Sequence, residues 1–118
     1  MRIIDLSLLK EEDFTIKTVT GEEYHIDGNF STEFFLTLYD AYQTVQNTVK
    51  SDVRAATELM KDIVVKILSL DPDKNVTRET LREQKIDNFV MLQAILTSTM
   101  QQANERANNP SSESPTSN

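Results

Sequence analysis

The sequence predicts an α+β fold that is mostly helical, with an N-terminal β-hairpin packed on a bundle of three to four helices. Three observations lead to this prediction. Between residues 14 and 26, apolar and polar residues alternate on both sides of a glycine, which is typical of a hairpin. From residue 30 to residue 70 neither Gly nor Pro occurs, and apolar residues recur at helical spacing. The same spacing returns between residues 88 and 106.

The chain has 118 residues, which is the usual size of one domain. We expect a single domain over residues 1–106 and a disordered tail over residues 107–118. The end of the chain, NNPSSESPTSN, carries no large apolar side chain. Such a segment cannot bury enough surface to offset the entropy that ordering it would cost.

The N-terminal segment before the hairpin is mixed in character. A polar run, Lys10 to Asp13, separates it from the first predicted strand. Two interpretations stay open for this segment, a short leading strand or a stretch that lies over the core. Its apolar residues are Ile3, Ile4, Leu6, Leu8 and Leu9.

The hairpin is predicted with strands near residues 14–19 and 23–26. Thr20, Gly21 and Glu22 lie between them, and glycine readily takes the positive φ that a tight turn needs. A lone two-stranded hairpin is only marginally stable in water. We therefore expect it to pack on a helix or to pair with further strands.

The first helix is expected over about residues 32–47. Ser31 is a good N-cap, because its hydroxyl can accept a free amide of the first turn. Phe30 before the cap and Phe35 in the first turn are placed as a hydrophobic staple. Glu33 lies near the positive end of the helix, where an acid is favourable.

A second helix is expected over about residues 52–70, with Ser51 as its cap. The alternative is one continuous helix over residues 32–70, which would be about 58 Å long and hard to bury in a small domain. We therefore favour two helices with a bend or turn near residues 47–51. Pro72 and the polar residues around it end the second helix.

Two further helices complete the prediction. A short helix over about residues 78–84 is capped by Thr77, and a final helix over about 88–106 is capped by Asp87. The final helix has a broad apolar face that is assigned either to the core or to contact with a partner or a second subunit. Its candidate partner-binding residues are Phe89, Leu92, Ile95, Leu96 and Met100.

The sequence offers little material for catalysis or for cofactor binding. It has no Cys, and His25 is its one histidine, in a predicted strand. Asp71, Asp73 and Asn75 have the spacing that opens a calcium loop, but Val76 and the residue at the final ligand position, an arginine, do not fit that loop. We therefore expect no catalytic site, no metal site and no cofactor.

The net charge of −7 argues against non-specific nucleic-acid binding, because affinity for phosphates comes from clustered Lys and Arg. No apolar run approaches the roughly 20 residues that span a bilayer, and the N-terminus lacks the apolar core of a signal peptide. A cytoplasmic protein with neither nucleic acid nor membrane as a partner is the expectation.

Several stretches of the chain resemble the small tail assembly chaperones of long-tailed bacteriophages and prophages of Gram-positive bacteria. These stretches are the N-terminal MRIIDLSLL, the hairpin FTIKTVTGEEYHI and the helix opening NFSTEFFLTLYDAYQ. The loop and helix DPDKNVTRETLREQKIDNFVMLQAIL and the polar end follow them. The resemblance covers about residues 1–106. It consists of a similar order of elements and of some short stretches of similar sequence.

The resemblance implies a non-enzymatic protein that keeps the tape measure protein soluble and helps to recruit tail tube protein subunits around it. It also implies self-association into a homo-oligomer, location in the cytoplasm of the infected host, and absence from the mature virion. In the family a longer, frameshifted form often accompanies the short one. The alternatives are a structural tail component and a small acidic regulatory protein of the phage or host.

Overall fold

The computed structural model describes residue 3 and residues 13–108, with the backbone alone for residues 105–108. Over this part, a two-stranded antiparallel sheet is followed by four helices, which confirms the predicted α+β fold with an N-terminal hairpin. The predicted leading segment, apart from Ile3 and Asp13, lies outside the described residues. So does the predicted tail from residue 109 onward.

The hairpin consists of strands β1 (Phe14–Lys17) and β2 (Glu23–Ile26). Its register places Phe14 opposite Ile26 and Lys17 opposite Glu23. Strand β1 ends two residues earlier than predicted, because the chain turns at Thr18, whose C=O accepts the Gly21 N–H at 3.0 Å. Gly21 has a φ of 95°, in the left-handed region that favours glycine, so the predicted turn is confirmed.

Helices α1 (Thr32–Thr48) and α2 (Val53–Leu68) are separate, as predicted. The Ser31 Oγ accepts the Phe34 N–H at 3.0 Å, which confirms Ser31 as the α1 cap. The predicted cap at Ser51 is wrong by one residue. The carboxylate of Asp52 accepts the first-turn amide at 3.0 Å instead, and its extended backbone suits a cap.

The aromatic residues around the start of α1 pack differently from the predicted staple. The ring of Phe30 lies 5.2 Å from that of Phe34 and 6.4 Å from that of Phe14, measured between centroids. Phe35 instead stacks on Tyr39, with centroids 6.4 Å apart. Phe30 therefore connects the hairpin to the first turn of α1, while Phe35 is directed along the helix.

Helices α3 (Arg78–Glu83) and α4 (Phe89–Asn108) follow. The predicted α4 cap at Asp87 is wrong, because the Asn88 side chain accepts the Met91 N–H at 3.0 Å. Asp87 instead forms an ion pair with Lys61 at 3.2 Å. Helix α4 includes residues 107 and 108, which the sequence had assigned to the tail.

Helix α2 lies at the centre of the fold and packs against α1, α3, α4 and β2. Its core face is buried from Ala56 to Leu68, and Tyr24 and Ile26 of β2 join the same core. This arrangement explains why a marginal hairpin is stable here, since its inner face packs on helices. The buried residues of α2 are Ala56, Met60, Ile63, Val64, Ile67 and Leu68.

A buried aspartate fixes the hairpin to the loop after α2. One carboxylate oxygen of Asp71 accepts the His25 N–H at 2.8 Å, and the other accepts the Asp73 N–H at 2.9 Å. These two amides lower the pKa of Asp71. Lys74 from the same loop pairs with Glu22 of the turn. Asp71, whose spacing from Asp73 resembled the start of a calcium loop, therefore accepts hydrogen bonds from two backbone amides.

Candidate partner-binding surfaces

Side chains that could hold a metal ion are dispersed in the described part of the chain. Among residues 3 and 13–108, no three His, Asp or Glu side chains come together as a ligand cluster. His25 is an exposed strand residue whose ring lies beside Thr15 and Glu23.

The α4 face that the sequence offered to a partner is buried within a single chain. Leu92, Leu96 and Met100 are at most 3% exposed, Ile95 is 9% exposed, and Phe89 packs partly buried against the same core. These side chains form the α4 part of the hydrophobic core, and α4 packs chiefly on α2. This face of α4 is therefore part of the core. A partner could contact the face only if α4 separated from α2.

Helix α1 presents an exposed apolar surface that the sequence reasoning did not assign to a partner. Leu36 and Tyr39 retain 52% and 43% of their surface, and Phe35 stacks beside Tyr39. We call these three residues the α1 aromatic patch. Residues three and four apart are neighbours on a helix, so the three side chains form one surface.

Leu38 and Val45 are the buried residues of α1, and Phe35 packs partly buried against the same core. Leu36 and Tyr39 lie beyond this stripe and keep about half of their surface exposed. A signal for the α1 aromatic patch existed in the sequence, because Phe35 and Tyr39 widen the apolar stripe of α1. An amphipathic helix usually devotes little more than about 100° of its circumference to the core.

A second apolar surface is a groove between strand β1 and helix α4, with a volume of about 310 Å³. The strand side includes Phe14, Ile16 and Thr18, and the helix side includes Met91 and Ile95. Phe14 and Ile16 are only partly buried, so their outer surfaces remain open to the groove. We call this the β1–α4 groove.

A smaller groove of about 200 Å³ lies between α1 and α2. Leu59, Ala41 and Ile63 supply apolar surface there, but Asp62 and Lys66 also border it. Its mixed lining and small volume make it a weaker candidate for a partner than the α1 aromatic patch or the β1–α4 groove.

Charges on the outer face of α2 are arranged in ion pairs with neighbouring elements. Arg78 of α3 donates to Glu58 at 2.7 Å and to Asp62 at 2.8 Å. Lys61 pairs with Glu58 at 3.1 Å as well as with Asp87. The hydrogen bond from Arg78 lowers the pKa of Glu58, and the one from Lys61 adds to the effect. These ion pairs connect α3, and Asp87 just before α4, to α2.

Comparison with known proteins finds no matching family model, no matching curated protein and no matching solved structure. In the described part of the chain, no helix is both long and apolar enough to cross a bilayer.

Proposed function

We propose that this protein is a non-enzymatic tail assembly chaperone of a long-tailed bacteriophage or prophage. In this role it binds the tape measure protein, keeps it soluble and helps to recruit tail tube protein subunits. The proposal is supported by the order of elements, since the resembling stretches within residues 14–106 fold as a hairpin and then as helices in that order.

The observation on which the proposal depends is the α1 aromatic patch. The client that the resemblance implies is the tape measure protein, which is long, helical and prone to aggregate through its exposed apolar stripes. An exposed aromatic and aliphatic surface on a rigid helix can cover such a stripe, because helices bind apolar helical faces by anchors three and four residues apart. Tyrosine is among the residues that contribute most to interfaces.

The charge of the chain suits the same role. A net charge of −7 on 118 residues favours solubility and mutual repulsion between loaded carriers. A chaperone that covers the apolar stripe of its client and adds negative charge would keep the complex dispersed. The proposed place of action is the cytoplasm of the infected bacterial host.

Co-expression with a tape measure segment tests the proposal. We expect the full chain to keep the segment in the soluble fraction and to copurify with it. A Leu36→Ser, Tyr39→Ser double variant should lose most of this effect while folding normally, because both positions are exposed. Val53→Ser is the matched control, since Val53 is 56% exposed but lies at the start of α2, outside the patch.

Two outcomes would count against the proposal. If the full chain leaves the segment insoluble, the chaperone role fails. If the double variant acts like the full chain, the patch is not the client surface. Mass spectrometry of purified virions separates the role from that of a structural tail component, because a chaperone is expected to be absent from finished particles.

A further inference from the structure

Among the described residues, no strand pairs with the outer edge of β1, which we call the open edge. The His25 N–H points away from β1 and donates to Asp71. Thr15 and His25 therefore form a non-hydrogen-bonded pair of the antiparallel ladder. The N–H and C=O of Thr15 must then also point outward, as must those of Lys17 two residues on. In the described part of the chain the sheet has two strands, and no third strand lies beside this edge.

The open edge lies directly beside the β1–α4 groove. Phe14 and Ile16 face the interior, and the groove continues this apolar surface from β1 across to Met91 and Ile95 of α4. A strand added at the edge of β1 would therefore sit over the groove. One of its faces would meet apolar side chains, and the other would meet solvent.

The chain itself contains a segment of this character immediately before β1. In residues 4–8, Ile4, Leu6 and Leu8 alternate with Asp5 and Ser7. Alternation with a period of two is the pattern of a strand with one buried face. We propose that residues 4–8 dock in the β1–α4 groove of their own chain and pair antiparallel with β1, as the third strand of the sheet.

Chain length favours docking within the same molecule. Residues 9–13 would connect the new strand to β1, and hairpin loops of two to five residues are common. Residues 10–13 of this loop are all charged, as suits a solvent-exposed turn. A five-residue strand is about 17 Å long, close to the length of β1.

The loop length and the alternation together define the register. With residues 9–13 in the loop, Leu8 lies opposite Phe14, and Leu6 lies opposite Ile16. The three apolar side chains of the segment then share the inner face with β1. In the same register Asp5 lies opposite Lys17 on the outer face, and opposite charges directly across a sheet are favourable.

Docking of this segment would give the exposed edge and the exposed groove one occupant. Open strand edges beside apolar surface favour aggregation, and natural proteins commonly cover them. The covered surface differs from the α1 aromatic patch, which lies on the helix that begins after the hairpin. The two surfaces can therefore be tested separately.

Amide hydrogen exchange on the full chain, measured by NMR, tests the proposal. The Ile16 amide is protected by its pairing with β2. We expect the Thr15 and Lys17 amides to be protected from exchange in the same way, by pairing with residues 4–8. Leu6→Asp should lower protection at Thr15 and Lys17 by at least about tenfold, because the inner face of the strand can no longer dock. Ser7→Asp is the matched control on the outer face and should leave protection unchanged.

Folding of each variant is followed by the exchange of the buried α4 amides, such as that of Leu96. If Leu6→Asp unfolds the whole chain, the charge pair supplies the second test. Asp5→Lys should reduce protection at Thr15, because it places a like charge opposite Lys17, whereas Asp5→Glu should keep the protection. Position 5 lies on the outer face of the proposed strand, so neither change removes core packing, and the pair Lys17–Glu23 of the hairpin stays intact.

Two results would overturn the proposal. The first is free exchange of Thr15 and Lys17 in a full chain whose Ile16 amide is protected. The second is protection that rises with protein concentration together with a dimeric mass by light scattering, which would assign the groove to residues 4–8 of a second copy. Concentration-independent protection that Leu6→Asp removes and Ser7→Asp retains would support the proposal.

Discussion

Helices α1 and α4 both carry broad apolar stripes, but the fold uses the two stripes differently. On α4 the residues Leu92, Leu96 and Met100 are buried, whereas on α1 Leu36 and Tyr39 keep about half of their surface exposed. Helices α1 and α4 both pack on α2 and on each other, but α1 leaves Leu36 and Tyr39 outside these contacts. An apolar stripe therefore indicates burial only over the arc that neighbouring elements cover.

The largest expected effect separates the two stripes by stability. Leu96→Ala should lower the free energy of unfolding by about 2–5 kcal/mol, because it leaves a cavity in a closed core. Leu36→Ala, the same chemical change on the exposed side of α1, should alter it by no more than about 0.5 kcal/mol. Urea denaturation measures both. Equal costs would show that the α1 surface is covered in solution.

The second-largest expected effect is on binding through the α1 aromatic patch. Tyr39→Ser should weaken association with a client segment, or self-association, by about 1–2 kcal/mol, which is roughly five- to thirtyfold in the dissociation constant. Light scattering over a dilution series measures self-association. Val53→Ser should leave the dissociation constant unchanged. A similar loss with both variants would indicate a general response to fewer exposed apolar groups.

A smaller effect is expected from the cap of α1. Ser31→Ala should cost about 1 kcal/mol, because the Phe34 N–H loses the side-chain oxygen that accepts it. Faster amide exchange should appear first in the opening turn of α1. Asn88→Ala tests the equivalent cap of α4, where we expect the later, buried turns to keep their protection. No change on Ser31→Ala would contradict the assigned cap.

The smallest expected effect is a pH dependence at the hairpin, which is joined to α1 through Phe30. The lowered pKa of Asp71 means that its carboxylate contributes stability above its unfolded pKa. This contribution is lost as pH falls through the lowered, folded-state pKa. On acidification, amides of β2 should lose protection before those of α4. The Asp71→Asn variant should lack this step, and an unchanged acid profile would contradict the role of Asp71.

Local chemistry explains which parts of the fold were predictable. The turn at Gly21, the cap at Ser31 and the break before α2 depend on residues close in sequence, and each of these predictions is confirmed. The caps at Ser51 and Asp87 were wrong by one residue each. In both places two neighbouring polar residues could cap the helix, and the backbone conformation of the assembled chain selects between them.

The candidate site was less predictable than the fold. The sequence offered the α4 face to a partner because it is broad and apolar, but a helical period does not state which neighbour covers a face. Packing on α2 buries that face. The α1 aromatic patch was visible only as a stripe wider than a core needs, and Phe35 shows the ambiguity, since it pairs with Tyr39 and not with Phe30.

The sequence by itself determined the identity and order of the elements, because hydrophobic period, turn residues and caps act over a few neighbouring positions. It also determined the acidic charge of the surface. Only the tertiary structure decided which apolar faces are core and which are open, and how the hairpin is held. Those outcomes depend on contacts between residues far apart in sequence, such as Asp71 with the amide of His25, 46 positions away.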